Sequence, residues 1–480
     1  MLFFPTTDED AAYFRSQGYT GSIDDMHFKA LGDLGYTGSL NDRIRACLTF
    51  KYGSYYEAMR DLRNGTSVFA LSSYIINGFD PALVFDFKGD YFRKSATTST
   101  FAASITHARA SSATMMNSSG TLVTVGNNVP RTGHHSYNGS AWVNEGILHE
   151  SEARTNLQVQ SGDFSNSAWS KSAVTVDTSY VAPDGTSTAS KFTSTGAAGA
   201  SGVYDSNSKG TGMSLTCFMK AGSSGVYGWI EGIVGGASPY GVFDLVSGTV
   251  VRSRECDASI EPVGNGWFRC VLANTTNSIS FFSVGGSDNT YTSRPWGFSN
   301  LTQDKFIYAW GAQLEAGPTP SSYIPTAGAT ATRAADLLTV PAASLPYDNT
   351  NMSIQMDGKM TGDTLTPVRW LLDANNSILL ETGSNNFSFT QEAVGTVDTV
   401  TGGSFTSGTN VPFNLATRNG STFINGAISG TALTANTTPT ALPNLSSTDL
   451  NLGYGFMGTI GQFRMWSEDL TDVGIAEAST

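Results

Sequence analysis

The chain has 480 residues, of which 14% are charged, with 40 acidic against 27 basic side chains and a net charge of -13. This length admits two or three domains, and a 40% hydrophobic content is enough for real cores. The acidic balance, without any Lys/Arg cluster, lacks the basic footprint that nucleic acid or an anionic membrane surface requires. The low charge, with 52 Gly and abundant Ser, Thr and Asn, argues against a helical cytosolic enzyme.

Residues 1–75 carry helical patterning and an internal repeat. Gly18-Tyr19-Thr20-Gly21-Ser22-Ile23-Asp24-Asp25 recurs as Gly35-Tyr36-Thr37-Gly38-Ser39-Leu40-Asn41-Asp42. Each copy ends in Ser-x-x-Asp, which satisfies backbone N–H groups at a helix start and favours its positive end. Each Gly-Tyr ends the helix before it. Short helices are predicted over about 8–17, 24–34 and 41–49. The segment has too few apolar residues to bury its own faces, so it is expected to dock on a partner rather than serve as a plain cap. The start, Met1-Leu2-Phe3-Phe4-Pro5 followed by Asp8-Glu9-Asp10, does not read as a signal peptide, and no apolar run approaches the length of a membrane-spanning helix. Neither nucleic acid nor membrane insertion is expected.

Residues 76–147 read as a transitional β segment, packed on the central domain or wound along a fibre axis. Leu83-Val84-Phe85-Asp86-Phe87 and Leu122-Val123-Thr124-Val125 alternate as strands, the second ending at Gly126-Asn127-Asn128. His134-His135 could suggest a metal pair. Adjacent strand residues face opposite ways, and neither cysteines nor clustered carboxylates stand nearby, so both read as solvated loop histidines.

Residues 148–336 show short strands separated by Gly, Ser, Asn and Asp turns, as an antiparallel jelly-roll β-sandwich would. Phe306, Tyr308 and Trp310 share one strand face, continued by Leu314 if no bulge intervenes; Phe268, Cys270 and Leu272 share another, opposite to Trp267 and Arg269. Asn265-Gly266 and Ala182-Pro183-Asp184-Gly185 are strong turn signals. The four cysteines, Cys47, Cys217, Cys256 and Cys270, show no CxxC spacing, so neither a zinc site nor a disulfide framework is expected, and Cys217 and Cys270 read as small core residues.

Residues 337–480 read as a second β-domain. Its strands include Leu337-Leu338-Thr339-Val340, Met352-Ser353-Ile354-Gln355-Met356, Arg369-Trp370-Leu371-Leu372-Asp373 and Asn386-Phe387-Ser388-Phe389. Asn419-Gly420 and Asn425-Gly426 are tight-turn signals. Asp373, Asn375 and Asn376 could contribute oxygen ligands to calcium, although such residues more often form turns. The end, Gly458-Thr459-Ile460-Gly461-Gln462-Phe463-Arg464-Met465-Trp466 and then Leu470 to Glu477, is similar to the last strands and closing helical turn of concanavalin- or laminin-G-like jelly rolls.

A run of motifs adds a resemblance. Glu152 to Leu157, Phe164 to Trp169, Ala182 to Thr186, Glu261 to Cys270, Trp310 to Gly317, Ser322 to Thr326 and Thr332 to Asp336 occur in an order that resembles a module of phage and gene-transfer-agent head-spike and tail-fibre proteins, itself similar to carbohydrate-binding β-sandwiches. The repeat of residues 18–42 likewise resembles segments of phage structural proteins. The resemblance implies a virion surface protein. It would attach through residues 1–75 to portal, capsid vertex or tail, act as a homo-oligomer, and bind a host surface polysaccharide.

A glycan site needs an aromatic platform for the sugar's C–H face and planar polar groups for its hydroxyls. Tyr227, Trp229 and Glu231 alternate onto one strand face, and Tyr240, Tyr291 and Trp296 lie in loop-like segments. These six are the candidate glycan contacts. The competing reading makes Tyr227 and Trp229 core aromatics, the commoner fate of such residues in a sandwich. No catalytic residue, metal or cofactor is expected. No carboxylate pair, Gly-x-Ser-x-Gly elbow, Walker loop, His-Glu-x-x-His or solenoid repeat is recognisable. The alternatives to a glycan-binding spike are a polysaccharide-degrading tailspike, marked by reducing-sugar release, and a purely structural capsid decoration, marked by no glycan binding.

Overall fold

A computed structural model describes residues 74–480 apart from 77, 96, 207–209, 211, 234–237, 274, 276–278, 289–293, 297–300, 363–364, 384 and 407. The helical repeat expected within 1–75, Cys47 and Tyr291 lie outside the described residues. The described chain is mainly β, in antiparallel sheets packed as sandwiches.

The first sandwich stacks two six-stranded sheets. Sheet I runs Ser170–Ser172, Ser201–Asp205, Phe281–Ser287, Tyr227–Ile233, Tyr240–Asp244, Thr249–Arg254. Sheet II runs Val174–Tyr180, Ala189–Ser194, Phe306–Ala316, Met213–Ala221, Trp267–Ala273, Asp257–Pro262. Period-2 alternation sends Val203, Ile230, Phe243 and Phe282 of sheet I against Phe192, Leu215, Cys270 and Ile307 of sheet II, all fully buried. Cys217 and Cys270, both free and buried, stand opposite one another in the register of sheet II. The turn at 264–266 has positive φ at Gly264, Asn265 and Gly266, and Trp267 N donates to Gly264 O at 2.9 Å. In the 182–185 turn, Gly185 N donates to Ala182 O at 3.0 Å.

A bulge does intervene after Trp310. Gly311 takes φ +66° and the pairing with Met213–Ala221 shifts register there. Trp310 therefore faces outward with Phe218, Trp267 and Tyr323, while Ala312 and Leu314 turn into the inter-sheet core. Met116 and Leu122 of the Ala113–Met116/Leu122–Val125 hairpin pack on that outward cluster.

The second sandwich pairs a ten-stranded and a seven-stranded sheet around Phe85, Ile354, Met356, Trp370, Leu380 and Phe463. Residues 76–147 are not a separate layer here. Leu83–Asp86 pairs with Met457–Trp466, Phe85 directly opposite Phe463, and Trp142–Glu150 pairs with the same strand. Thr106–Ala108 joins the other sheet beside Leu337–Val340. Of this segment, the 113–125 hairpin and Trp142 pack on the central domain; the strands at 83–86, 106–108 and 142–150 find partners hundreds of residues further along the chain, which no local pattern reports. The terminal helix Thr471–Ala478 covers the outer face with Ile475 and Ala478 against Ala416, Ala427 and Trp466.

Three turn and loop expectations are corrected, the first being Tyr240, which opens the strand Tyr240–Asp244 and pairs with Glu231 instead of lying in a loop. Asn425-Gly426 lies inside the strand Ile424–Ile428, because Gly426 leaves room for the Phe389 ring, 2.1 Å from where its Cβ would stand, and Asn425 Nδ2 bonds Leu433 O and Asp472. His134 and His135 belong to the strand Arg131–Tyr137 rather than to a solvated loop; His134 Nδ1 accepts from Met116 N at 3.3 Å. Asp373 acts as a turn former, accepting from Asn375 N and Asn376 Nδ2 at 2.8 and 3.0 Å.

The motifs at the ends of residues 150–336 form the seam between the sandwiches. Asp336 accepts from Arg131 Nη2 at 2.5 Å, Arg109 Nη1 at 3.0 Å and Glu150 N at 2.9 Å, and it meets His107 Nε2 at 3.2 Å. Glu150 meets Arg131 at 2.7 Å and Arg333 at 3.1 Å, and accepts from Ser322 N and Oγ. Asn156 Nδ2 donates to Ala312 O and Ile324 O, while its Oδ1 accepts from Leu314 N. Gln313 Oε1 accepts from Ile324 N. These polar side chains are recognisable because each satisfies a buried backbone or charged group that would otherwise be stranded.

Candidate functional site

The candidate contacts converge on the outer face of sheet I. Ile230 points into the sandwich core, so Tyr227, Trp229 and Glu231 point away from it. Register extends the arrangement across neighbouring strands. Tyr240, Glu231, Ser283 and Tyr204 form one cross-strand row, and Val242, Trp229, Gly285 and Gly202 form the next.

The glycines in the second row explain the position of Trp229. A Cβ at Gly285 would stand 2.3 Å from the Trp229 ring, and one at Gly202 would stand 3.0 Å from it. The indole lies along the sheet where these two strands lack side chains, and its Nε1 donates to Gly286 O at 3.1 Å. Trp296 stands over this floor, 6.2 Å from Trp229 and 4.8 Å from Tyr204 between ring centroids, edge-on to both. Phe281 extends the aromatic surface beside Tyr204 at 5.8 Å.

Polar groups are interleaved with the rings. Trp296 N donates to Glu231 Oε2 at 2.6 Å, and Arg294 Nη1 lies 3.8 Å from Glu231 Oε1 and 3.3 Å from Ser238 Oγ. Burial pushes the Glu231 carboxyl up to about 7, against the opposing effects of the Trp296 N–H and Arg294. The guanidinium of Arg252 stands over the Tyr240 ring at 5.3 Å.

Three of the six expected contacts are buried. Trp229 and Glu231 are 0% exposed and Tyr240 is 5% exposed. Their direction is outward, but they are buried, with Trp296 standing against Trp229 and Glu231, so they form the floor and not the touching surface. Tyr227 and Trp296 are half-buried and reach the surface. Tyr204, Arg252 and Arg294 complete the patch and were missed. The Gly-x-Tyr spacing of Gly202-Val203-Tyr204, facing Gly285-Gly286, is the signal that could have found Tyr204.

No protein-family model matches this chain, and no curated protein matches it. Among solved structures, partial likenesses occur to botulinum neurotoxin domains. The serotype D binding domain is 16% identical at a TM-score of 0.25, over 30% of this chain and 40% of that chain. The serotype C/D mosaic receptor-binding domain is 15% identical at 0.24, over 30% and 40%. The serotype G binding domain is 11% identical at 0.24, over 29% and 39%. The chain thus spans well under half the length of these proteins, and superpositions so partial carry no argument about activity.

Proposed function

We propose that this chain is a non-enzymatic surface protein of a phage or gene-transfer-agent particle that binds host glycans through the outer face of sheet I. The observation that carries the reading is convergence. Tyr227, Tyr204 and Trp296 present aromatic surface beside Arg252 and Arg294, above a floor of Trp229, Tyr240 and Glu231. Aromatic faces suit the C–H surface of a sugar, and guanidinium edges suit its hydroxyls. In this reading residues 1–75 hold the particle, and a symmetric homo-oligomer compensates by avidity for weak single sites.

The hydrolase reading fits this face less well. Glycosidases hold two carboxyl groups ~5–9.5 Å apart. On this face Glu231 sits four strand positions from the row of Asp244, roughly 13 Å at ~3.3 Å per residue. Asp244 is also committed to its own turn, accepting from Val246 N at 2.8 Å and Ser247 N at 3.1 Å.

The test is binding of the purified chain to intact host cells before and after periodate oxidation of surface sugars. Binding lost on oxidation, and lost in Trp296→Ala, is the expected result. Binding that survives oxidation overturns the glycan reading. Reducing-sugar release abolished by Glu231→Gln would favour the tailspike instead.

A further inference from the structure

A cavity of about 300 Å³ lies between the two sandwiches and shares no lining residue with the outer face of sheet I. It lies at the small end of the ~300–1,000 Å³ range of small-molecule sites, which favour domain interfaces. Both sandwiches contribute. Tyr323 and Arg269 come from the first, Lys359 and Met457 from the second, and the Arg131–Tyr137/Trp142–Glu150 hairpin closes one side.

The lining has two parts. Tyr137 and Trp142 meet with ring centroids 5.2 Å apart, tilted by 48°, and present aromatic surface, backed by Tyr323 and Phe218. Trp142 is held in place by two glycines: a Cβ would stand 2.2 Å from its ring at Gly120 and 2.8 Å at Gly264. The polar part is held equally firmly. His134 Nδ1 accepts from Met116 N, which puts the proton of the neutral ring on Nε2 as a donor. Asn410 Nδ2 donates to Glu261 Oε1 at 2.9 Å across the two sandwiches, and Lys359 Nζ meets Glu145 Oε1 at 2.5 Å.

Charge narrows the ligand. Lys359 is paired with Glu145, and Glu150 with Arg131 and Arg333. Glu261 accepts from Asn410, and Arg269 donates to Ser321 O. A phosphate or carboxylate would have to break one of these pairs. A wholly apolar ligand would leave the Nε2–H donor of His134 without a partner. Aromatic faces beside neutral or already balanced polar edges suit an uncharged polyhydroxylated ring. We propose that this cavity is a second binding site, for a neutral saccharide of one or two rings gripped by both sandwiches. It shares its ligand class with the outer-face reading but none of its residues.

The experiment uses the full chain and ligand-detected saturation-transfer NMR, with glucose, galactose, N-acetylglucosamine and rhamnose as the actual probes. Trp296→Ala is the background, which removes the outer-face platform. At least one of these sugars is expected to give a signal in that background. Adding Thr409→Trp, which fills the cavity from its lining, or Tyr137→Ala, which removes one aromatic face, should reduce the signal about tenfold or more. Circular dichroism identifies a variant that fails to fold, and the two cavity substitutions act independently, so one folded variant suffices. No signal in the Trp296→Ala protein, or a signal that survives both cavity substitutions, overturns the inference. Equal signals from the unaltered chain and Trp296→Ala would instead count against the outer-face reading and leave the cavity site standing.

Discussion

Trp229 and Trp296 stand 6.2 Å apart on the same face of sheet I, yet their substitutions should have opposite consequences. Trp229 is fully buried with a satisfied Nε1, so Trp229→Ala should lower stability by about 3–5 kcal/mol, read by denaturant unfolding. Trp296 is half-buried and should lose cell binding in Trp296→Ala with a much smaller change in Tm. Glu231 adds a pH dependence. Its folded value, raised to about 7 from an ordinary 4.5, means the neutral form is the one the fold prefers. Stability from this group is fully present below the unfolded value and is lost as pH rises through 7, a change on the order of 3 kcal/mol. Glu231→Gln should flatten that alkaline loss in thermal unfolding; an unchanged pH profile would show that the carboxyl is not held neutral.

At the scale of the element, the strand Phe306–Ala316 shows how one residue redirects a face. Without the bulge at Gly311, Leu314 would lie with Trp310 on the outer surface, and the core would lose it. Gly311 takes φ +66°, and a Cβ there would stand 2.8 Å from the Phe218 ring. Gly311→Ala should therefore cost about 1–3 kcal/mol through strain and displacement of Phe218, measurable by chemical denaturation. A neutral result would show that the bulge can relax. The alternation of this strand was legible in the residues, and so were the turns at 182–185 and 264–266. The face of Leu314 was not, because a bulge depends on how the partner strand is paired. Asn425-Gly426 failed as a turn signal for a related reason: its glycine makes room for Phe389 of another sheet.

At the scale of the molecule, the seam around Asp336 and Glu150 joins the sandwiches through buried charge. Burial alone would raise both carboxyls, but His107 and Arg131 hold Asp336 far below the usual range, and Arg333 and Arg131 hold Glu150 at about 2. Removing Asp336 leaves Arg109 buried without its carboxylate partner and Arg131 with Glu150 alone, so Asp336→Ala should cost about 3–5 kcal/mol. Asp336→Ala combined with Arg131→Met should recover part of that loss. Burial also lowers His134 and His149 to about 4. Groups lowered in the fold give stability that is present above their unfolded values and disappears as pH falls. Acid unfolding should therefore begin below about pH 6.5, as the histidines are forced to charge, and steepen as the two carboxyls protonate. A Glu231→Gln protein, freed of the opposing Glu231 effect, that was equally stable at pH 4 and pH 7 would contradict this reading.

What the residues alone determined is the part governed by local rules. Strand alternation, turn chemistry and low charge specified a mainly β chain of sandwiches, and alternation aligned Tyr227, Trp229 and Glu231 on one face. Tertiary structure alone decided which of these reach the surface, because exposure depends on what crosses above a strand, here Trp296. It also decided that strands from 83–150 complete the C-terminal sheets, and that Tyr204 and Arg252 join the patch through register. The motif run from Glu152 to Asp336 was legible as a pattern, but its physical meaning was not. Its Asn, Gln, Arg and Asp side chains satisfy distant buried groups, 227 positions away between Asp336 and Arg109, and such pairings exist only once the chain has folded.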